Sequence, residues 1–405
     1  MHIKKKEIQG WWLVAYLLCY IFSNGVFGAD NAWISTLIKA VVILGLVLVQ
    51  YKNNRSINIG TMKLVVQLLL VLIVLQLFFI QNIVILKILG LNILTFYLLA
   101  CRTSEDSLKY LSFGVKLCAI IASCSVVYLS LAYGSFYYFR DESFIDKSYI
   151  TAFYSMSYIY IFIDITYNKN RLFNFITLLF LLLTNILIVQ SKISLSALFI
   201  GIIAVYLFSN KEQKLKYRKF LSYCLVAILI LVVIFPDITL PDEIKYAVNF
   251  VFKSDIFTVE RSVERLNMTY DIRGDLWNYC IKNLFMTHPI LGIGLGNFET
   301  YSKMSRTSWA GLPETESSLL SIITEGGIVY TIIMFFFFYF PINLVYKKIR
   351  KERKIEYLYV LLFFTTYLVM IVGNDFLDSF FWCQAAIMIG TLYKTARNNN
   401  RYYIE

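Results

Sequence analysis

The chain has 405 residues, of which 59% are hydrophobic and 16% charged, and its mean hydropathy is +0.65. Soluble domains carry about 25% charge, so this composition excludes an ordinary soluble enzyme. The formal net charge of +12 would point to nucleic acid in a soluble protein. Here the Lys and Arg residues collect in short loops between apolar runs, which marks a membrane protein and no nucleic-acid partner.

The apolar runs are of the length that crosses a hydrocarbon core as a helix, about 20 residues for about 30 Å. A membrane barrel would show alternation over about 10 residues, and that pattern is absent. Backbone groups in lipid must be satisfied within the chain. The expected fold is therefore an all-α polytopic membrane protein. In chain order the expected spans are 10–28, 33–51, 64–80, 83–101, 110–132, 150–167, 172–190, 193–208, 220–236, 319–346, 355–371 and 376–393, about twelve transmembrane helices. The basic start, MHIKKKEIQG, precedes a long apolar run without a small-residue cleavage site, so it reads as a retained first span.

Loop charge orients these spans. Lys4–Lys6, Lys52/Arg55/Lys63, Arg102/Lys109, Lys169/Arg171, Lys211–Lys219, Lys347–Lys354 and Lys394/Arg397/Arg401 all fall on one side of a twelve-span layout. The positive-inside rule puts that side, and both termini, in the cytoplasm. The outer side then carries Tyr133–Tyr149 and one large segment, Asp237–Ser318. The expected organisation is 1–236 as transmembrane helices 1–9, 237–318 as the large extracytoplasmic loop, and 319–405 as helices 10–12 with a cytoplasmic tail. No fixed-period repeat or pair of similar halves is visible. The seven cysteines, Cys19, Cys101, Cys118, Cys124, Cys224, Cys280 and Cys383, are scattered with no CxxC. The two histidines are His2 and His288. Neither a disulfide framework nor a metal site is indicated, and no cofactor is expected.

Candidate chemistry concentrates in the outer segment, between Arg273 and Gly327. Leu276/Trp277, Cys280/Ile281 and Leu284/Phe285 recur at helical spacing. Arg273 opens that helix. It is either a surface Arg paired with Asp271 or Asp275, or a two-pronged clamp on a phosphate, which Arg performs better than Lys. HPILGIGLGNF follows, with Gly292, Gly294 and Gly296 at alternate positions. It reads as a structural turn rather than a dinucleotide fingerprint, because no βαβ unit surrounds it. His288, before Pro289, reads as structural.

In PETES, Glu314 and Glu316 are either ordinary acids at a helix start or candidate general bases at the mouth of the tenth span. Glu325, inside or near the bilayer beside Gly326-Gly327, is expected to face a cavity or a partner. Lys192, in QSKIS on an outer turn, is either an interfacial cation or a substrate contact. Lys39, Lys87 and Lys116 read as lysines that reach toward the interface along their own stems.

Taken together these motifs resemble a family. The order is Arg273…Trp277, then Pro289-Ile-Leu-Gly292-Ile-Gly294-Leu-Gly296-Asn-Phe298, then Glu316, then Glu325-Gly-Gly327-Ile328. This looks like the O-antigen ligase/polymerase superfamily, the Wzy-type polysaccharide polymerases and WaaL-type ligases. The resemblance implies a GT-C-like fold and an inverting, metal-independent glycosyltransferase working on the outer face of the bacterial cytoplasmic membrane. It implies undecaprenyl-diphosphate-linked oligosaccharide as substrate and a chain-length regulator as a further partner.

It further implies Glu316, Glu314 and Arg273 as catalytic residues, Arg273 and Lys192 as diphosphate contacts, and Glu325 as a supporting group. Two departures from the family pattern matter. Ser191-Lys192 stands where members carry Ser-Arg, and Glu316 stands where ligases carry His. The second favours a polymerase over a ligase that moves finished glycan to a final acceptor. A flippase for lipid-linked glycan is a further alternative. It would spread polar residues through many spans, whereas here they gather in one loop.

The topology is open to a direct check. On a background without other reactive thiols, Thr307→Cys should be labelled from outside by an impermeant maleimide and Lys351→Cys should not. The opposite labelling pattern would invert the orientation.

Overall fold

The computed structural model describes residues 5–25, 41–49, 57–78, 83–104, 106–132, 147–167, 171–189, 191–208, 274–304, 317–352, 354–373 and 379–401, with positions 214, 218, 222, 226 and 315. Among these every regular element is a helix. In order they are α1 (Lys5–Gly25), α2 (41–49), α3 (Thr61–Gln76), α4 (Ile83–Ala100), α5 (Ser107–Ala132), α6 (Lys147–Thr166), α7 (Arg171–Thr184) and α8 (Lys192–Phe208). Then come α9 (274–285), α10 (Phe298–Met304), α11 (Ser318–Glu352), α12 (Ile355–Gly373) and α13 (Ser379–Arg401). Two of these contain wide π-helical turns, Asn185–Val189 continuing α7 and Cys280–Phe285 closing α9.

Ser107–Ala132, Leu172–Val189 and Ser318–Ile349 are long and apolar enough to cross a membrane, and five shorter apolar helices accompany them among the described residues. With so little charge to solvate, these helices make a multi-pass membrane protein. Their ends fall within a few residues of the expected spans. Of the span expected at 220–236 only positions 222 and 226 are described, and the segments 133–146 and 237–273 lie outside the described residues.

The chain forms two compact units, Met1–Gly114 with Ile272–Glu405, and Val115–Asp271. In the first, α11 packs on α3, α12, α13 and the π turn of α9, while α13 packs along α4. Phe337 on α11 is the aromatic hub. Its ring lies 5.4 Å from Phe96 of α4, 6.0 Å from Phe364 of α12, and 6.0 and 5.2 Å from Phe381 and Trp382 of α13. Inclined rings at these separations suit the aromatic quadrupole and add to simple burial.

In the second unit, α6 packs on both α7 and α8. Polar side chains link its helices inside an apolar surround. The Tyr154 hydroxyl lies 2.6 Å from that of Ser123 on α5 and 2.8 Å from that of Thr184 on α7. Lys116 corrects an expectation. It does not reach toward the interface: it is buried and donates to Asp164 at 2.7 Å and to Asn174 at 2.9 Å. The partners lie 48 and 58 residues away, so hydropathy along one helix carries no sign of them. A lone ammonium inside the bundle would be costly, and the carboxylate resolves that cost.

The same physics yields a prediction. Lys116→Ala should destabilise the purified protein by about 3–5 kcal/mol, because it breaks a buried ion pair. The double variant Lys116→Met/Asp164→Leu should recover most of that loss. Thermal unfolding in detergent reads both.

Candidate functional site

The site is built on a break in α11. Gly327 has φ 62° and ψ −164°, inside an otherwise helical run. In an unbroken helix Ile328 N–H would pair with the Thr324 carbonyl, and Val329 N–H with that of Glu325. The glycine turn takes all four groups instead. Ile293 N–H donates to the Thr324 carbonyl and Gly294 N–H to the Glu325 carbonyl, both at 3.0 Å. Ile328 N–H donates to the Pro289 carbonyl at 2.8 Å and Val329 N–H to the Ile290 carbonyl at 3.2 Å. The turn thus satisfies backbone groups that would otherwise be stranded at an internal helix end.

Such close backbone approach needs glycine on both sides. A Cβ on Gly292 would lie 2.3 Å from the Glu325 carbonyl oxygen, and one on Gly327 would lie 2.5 Å from Gly292 N. Both residues also have positive φ, which any side chain resists. The turn is therefore a structural part of α11.

Glu325 finds its partner here. Its carboxylate accepts from Gly296 N–H and from Phe298 N–H, both at 3.0 Å, and from the Ser321 hydroxyl at 3.3 Å. Those amides end the turn and begin α10, so a carboxylate on the broken helix holds the entry to the next one. A charge-assisted bond of this kind is stronger than a neutral one. Glu325 thus faces partners, two backbone amides and the Ser321 hydroxyl.

Gln76, the last residue of α3 and fully buried, was not singled out from the sequence. Its amide donates to the Leu291 carbonyl at 2.9 Å and accepts from Leu295 N–H at 3.3 Å, as a neighbouring strand would. The only signal was a polar side chain closing an apolar run.

α9 is seated by its apolar face. Leu276, Cys280 and Leu284 form one cluster with Ile293 and Phe298 of the turn and Leu320 of α11, and Trp277 packs against it. Burial first, and the Glu325 carboxylate second, push the Cys280 thiol up to about 12. It stays protonated and is a packing residue, not a nucleophile. His288 is exposed, with Nδ1 2.9 Å from the Thr287 hydroxyl.

α11 starts one residue before the expected span. The helix begins at Ser318, and its first turn holds no acid. Ser317 caps it, its hydroxyl accepting from Leu320 N–H at 3.4 Å, and the same hydroxyl donates to the Ile371 carbonyl of α12 at 3.1 Å. Glu314 and Glu316 thus precede the capping residue in sequence rather than filling the first turn. Those two residues and Arg273 lie outside the described residues, and Lys192 is described only as the first residue of α8.

Residues 177–336 match the family model described as O-Antigen ligase. The matched stretch runs from α7 through α8, α9 and the glycine turn into α11, and it supports the O-antigen ligase/polymerase superfamily. O-antigen ligase/polymerase-type glycan transfer is accordingly the general activity that the match supports. No curated protein matches the sequence.

The turn and its anchor should be separable from the rest of the fold by mutation. Gly292→Ala should prevent accumulation of monodisperse protein in detergent, while Gly274→Ala, with nothing within 4 Å of its Cβ, should not. Glu325→Gln puts an amide donor against backbone donors and should cost about 1–3 kcal/mol in thermal unfolding.

Proposed function

We propose that the protein is a polymerase that joins undecaprenyl-diphosphate-linked oligosaccharide repeat units into a surface polysaccharide, O-antigen, capsule or exopolysaccharide. It works at the outer face of the cytoplasmic membrane, with both termini in the cytoplasm. The observation that carries this reading is the meeting of α9 and α11. Leu276 of α9 and Leu320 in the first turn of α11 belong to one apolar cluster. In the sequence Arg273 lies three residues before Leu276, and Glu316 four residues before Leu320. Two packed helices with a cation and an acid close by in the sequence suit a phosphate clamp and a base that serve one reaction.

In that reaction an acceptor sugar hydroxyl attacks the anomeric carbon of the donor. A C–O bond forms with inversion, and the bond from that carbon to the diphosphate oxygen breaks. Glu316 takes the hydroxyl proton, with Glu314 as the neighbouring carboxylate. Undecaprenyl diphosphate leaves with the bonding electrons. Arg273 holds a phosphate through two parallel N–H donors and offsets the developing charge. Lys192 is a diphosphate contact on the ground of its place in the sequence alone. An acid in the place where the ligases carry His supports polymerisation over transfer to a final acceptor.

Deletion of the protein should remove the length ladder of the surface glycan and leave single repeat units attached; loss of all attached glycan would instead indicate a ligase or a flippase. With purified protein and lipid-linked repeat unit, Glu316→Gln should slow polymerisation by about 10²–10⁴-fold. Arg273→Lys should also fall well below wild type, because the charge remains but the planar fork is lost. Near-normal rates in Glu316→Gln and Glu314→Gln would remove carboxylate base catalysis from this stretch.

A further inference from the structure

The second unit holds a polar construction that the reaction described above does not use. α7 ends in the π-helical turn Asn185–Val189, and α8 starts three residues later at Lys192. Asn185 is fully buried. Its side-chain oxygen accepts from Ser191 N–H at 3.0 Å, and its amide donates to the Ser194 hydroxyl at 2.8 Å. Asn185 therefore spans both sides of Lys192. Thr151 of α6 adds a third point, donating to the Ser191 hydroxyl at 3.0 Å. That hydroxyl in turn accepts from Ser194 N–H at 3.3 Å, the capping bond for the first turn of α8.

One residue back, Thr184 is tied to Tyr154 and through it to Ser123. A single wide turn at a helix end often marks a functional position. A buried amide using both its donor and its acceptor on one short turn fixes that turn tightly.

We propose that Asn185 and Thr151 are positioning residues for the diphosphate contact at Lys192: they fix the backbone of the Ser191–Lys192 turn that carries it. This rests on the reading of Lys192 as a diphosphate contact. Neither Asn185 nor Thr151 touches substrate. Their effect passes through the backbone of residues 191–194. Freed from Asn185, the turn keeps its helix cap but loses the link from Ser191 N–H to α7, and the position of Lys192 relaxes.

The test is a double-mutant cycle read by binding of undecaprenyl diphosphate to the detergent-solubilised full chain. This probe needs neither the sugars nor turnover. Lys192→Ala should raise Kd about tenfold, the size of one charged phosphate contact. Asn185→Leu should raise Kd by a similar factor in the wild type and by less than about twofold in the Lys192→Ala background, because the two act through one contact.

Thr151→Val keeps the side-chain volume and removes the hydroxyl. It should show the same dependence on Lys192, and it carries the test if Asn185→Leu does not yield monodisperse protein. Equal losses from Asn185→Leu or Thr151→Val with and without Lys192 would overturn the positioning role while leaving Lys192 as a contact. Unchanged Kd in Lys192→Ala would remove Lys192 from diphosphate binding and this proposal with it. Unchanged Kd in folded Asn185→Leu would overturn the proposal alone.

Discussion

The constraint on which the first unit depends is that a helix broken among apolar neighbours must have its stranded backbone groups paired. Gly327 interrupts α11, and the glycine turn after Pro289 supplies two donors and two acceptors to the break. Each of the four bonds is worth about 1 kcal/mol net when made, and more than that is lost if a buried partner is left alone. The larger consequence is positional. The turn cannot slide along α11, because its amides and carbonyls are in register with those on either side of the break.

From that register the rest of the construction around the turn follows. The Glu325 side chain reaches the amides at the end of the turn and holds the start of α10. Gln76 pairs with the far edge of the turn from α3. The apolar face of α9 settles on the turn and on Leu320. A chain segment between two spans is thus fixed by backbone hydrogen bonds and one carboxylate, with a small apolar cluster underneath. Rigid support of this kind suits a transferase, whose acidic and basic groups must meet a reacting carbon within fractions of an ångström.

The two units use buried polarity differently. In the first, polar side chains bond mainly to backbone at the turn. In the second, they bond mainly to one another across helices: Lys116 to Asp164 and Asn174, and Tyr154 to Ser123 and Thr184. Helices in lipid gain little from hydrophobic association, since the tails are as apolar as the side chains. Hydrogen bonds and ion pairs then choose which helix meets which, and at what register.

What the sequence by itself determined is what local physics controls. Among the described residues, apolar runs became helices at nearly the expected places, the three-to-four spacing of Leu276, Cys280 and Leu284 became the buried face of α9, and the order of Arg, glycine turn and acids pointed to the family that the matched stretch supports. Only the tertiary structure decided what Glu325, Gln76, Lys116 and Asn185 do.

The first two bond to groups 29 and 215 residues away, and Lys116 pairs across 48. Periodicity reports which face of a helix is buried, not what is buried against it. Even the partner of Asn185, six residues on, depended on a π turn that widens one helix end, and composition does not encode that widening. The break at Gly327 is the clearest case. A Gly-Gly pair in an apolar run permits a kink, but whether the backbone leaves the helix depends on a second segment arriving with matching donors and acceptors.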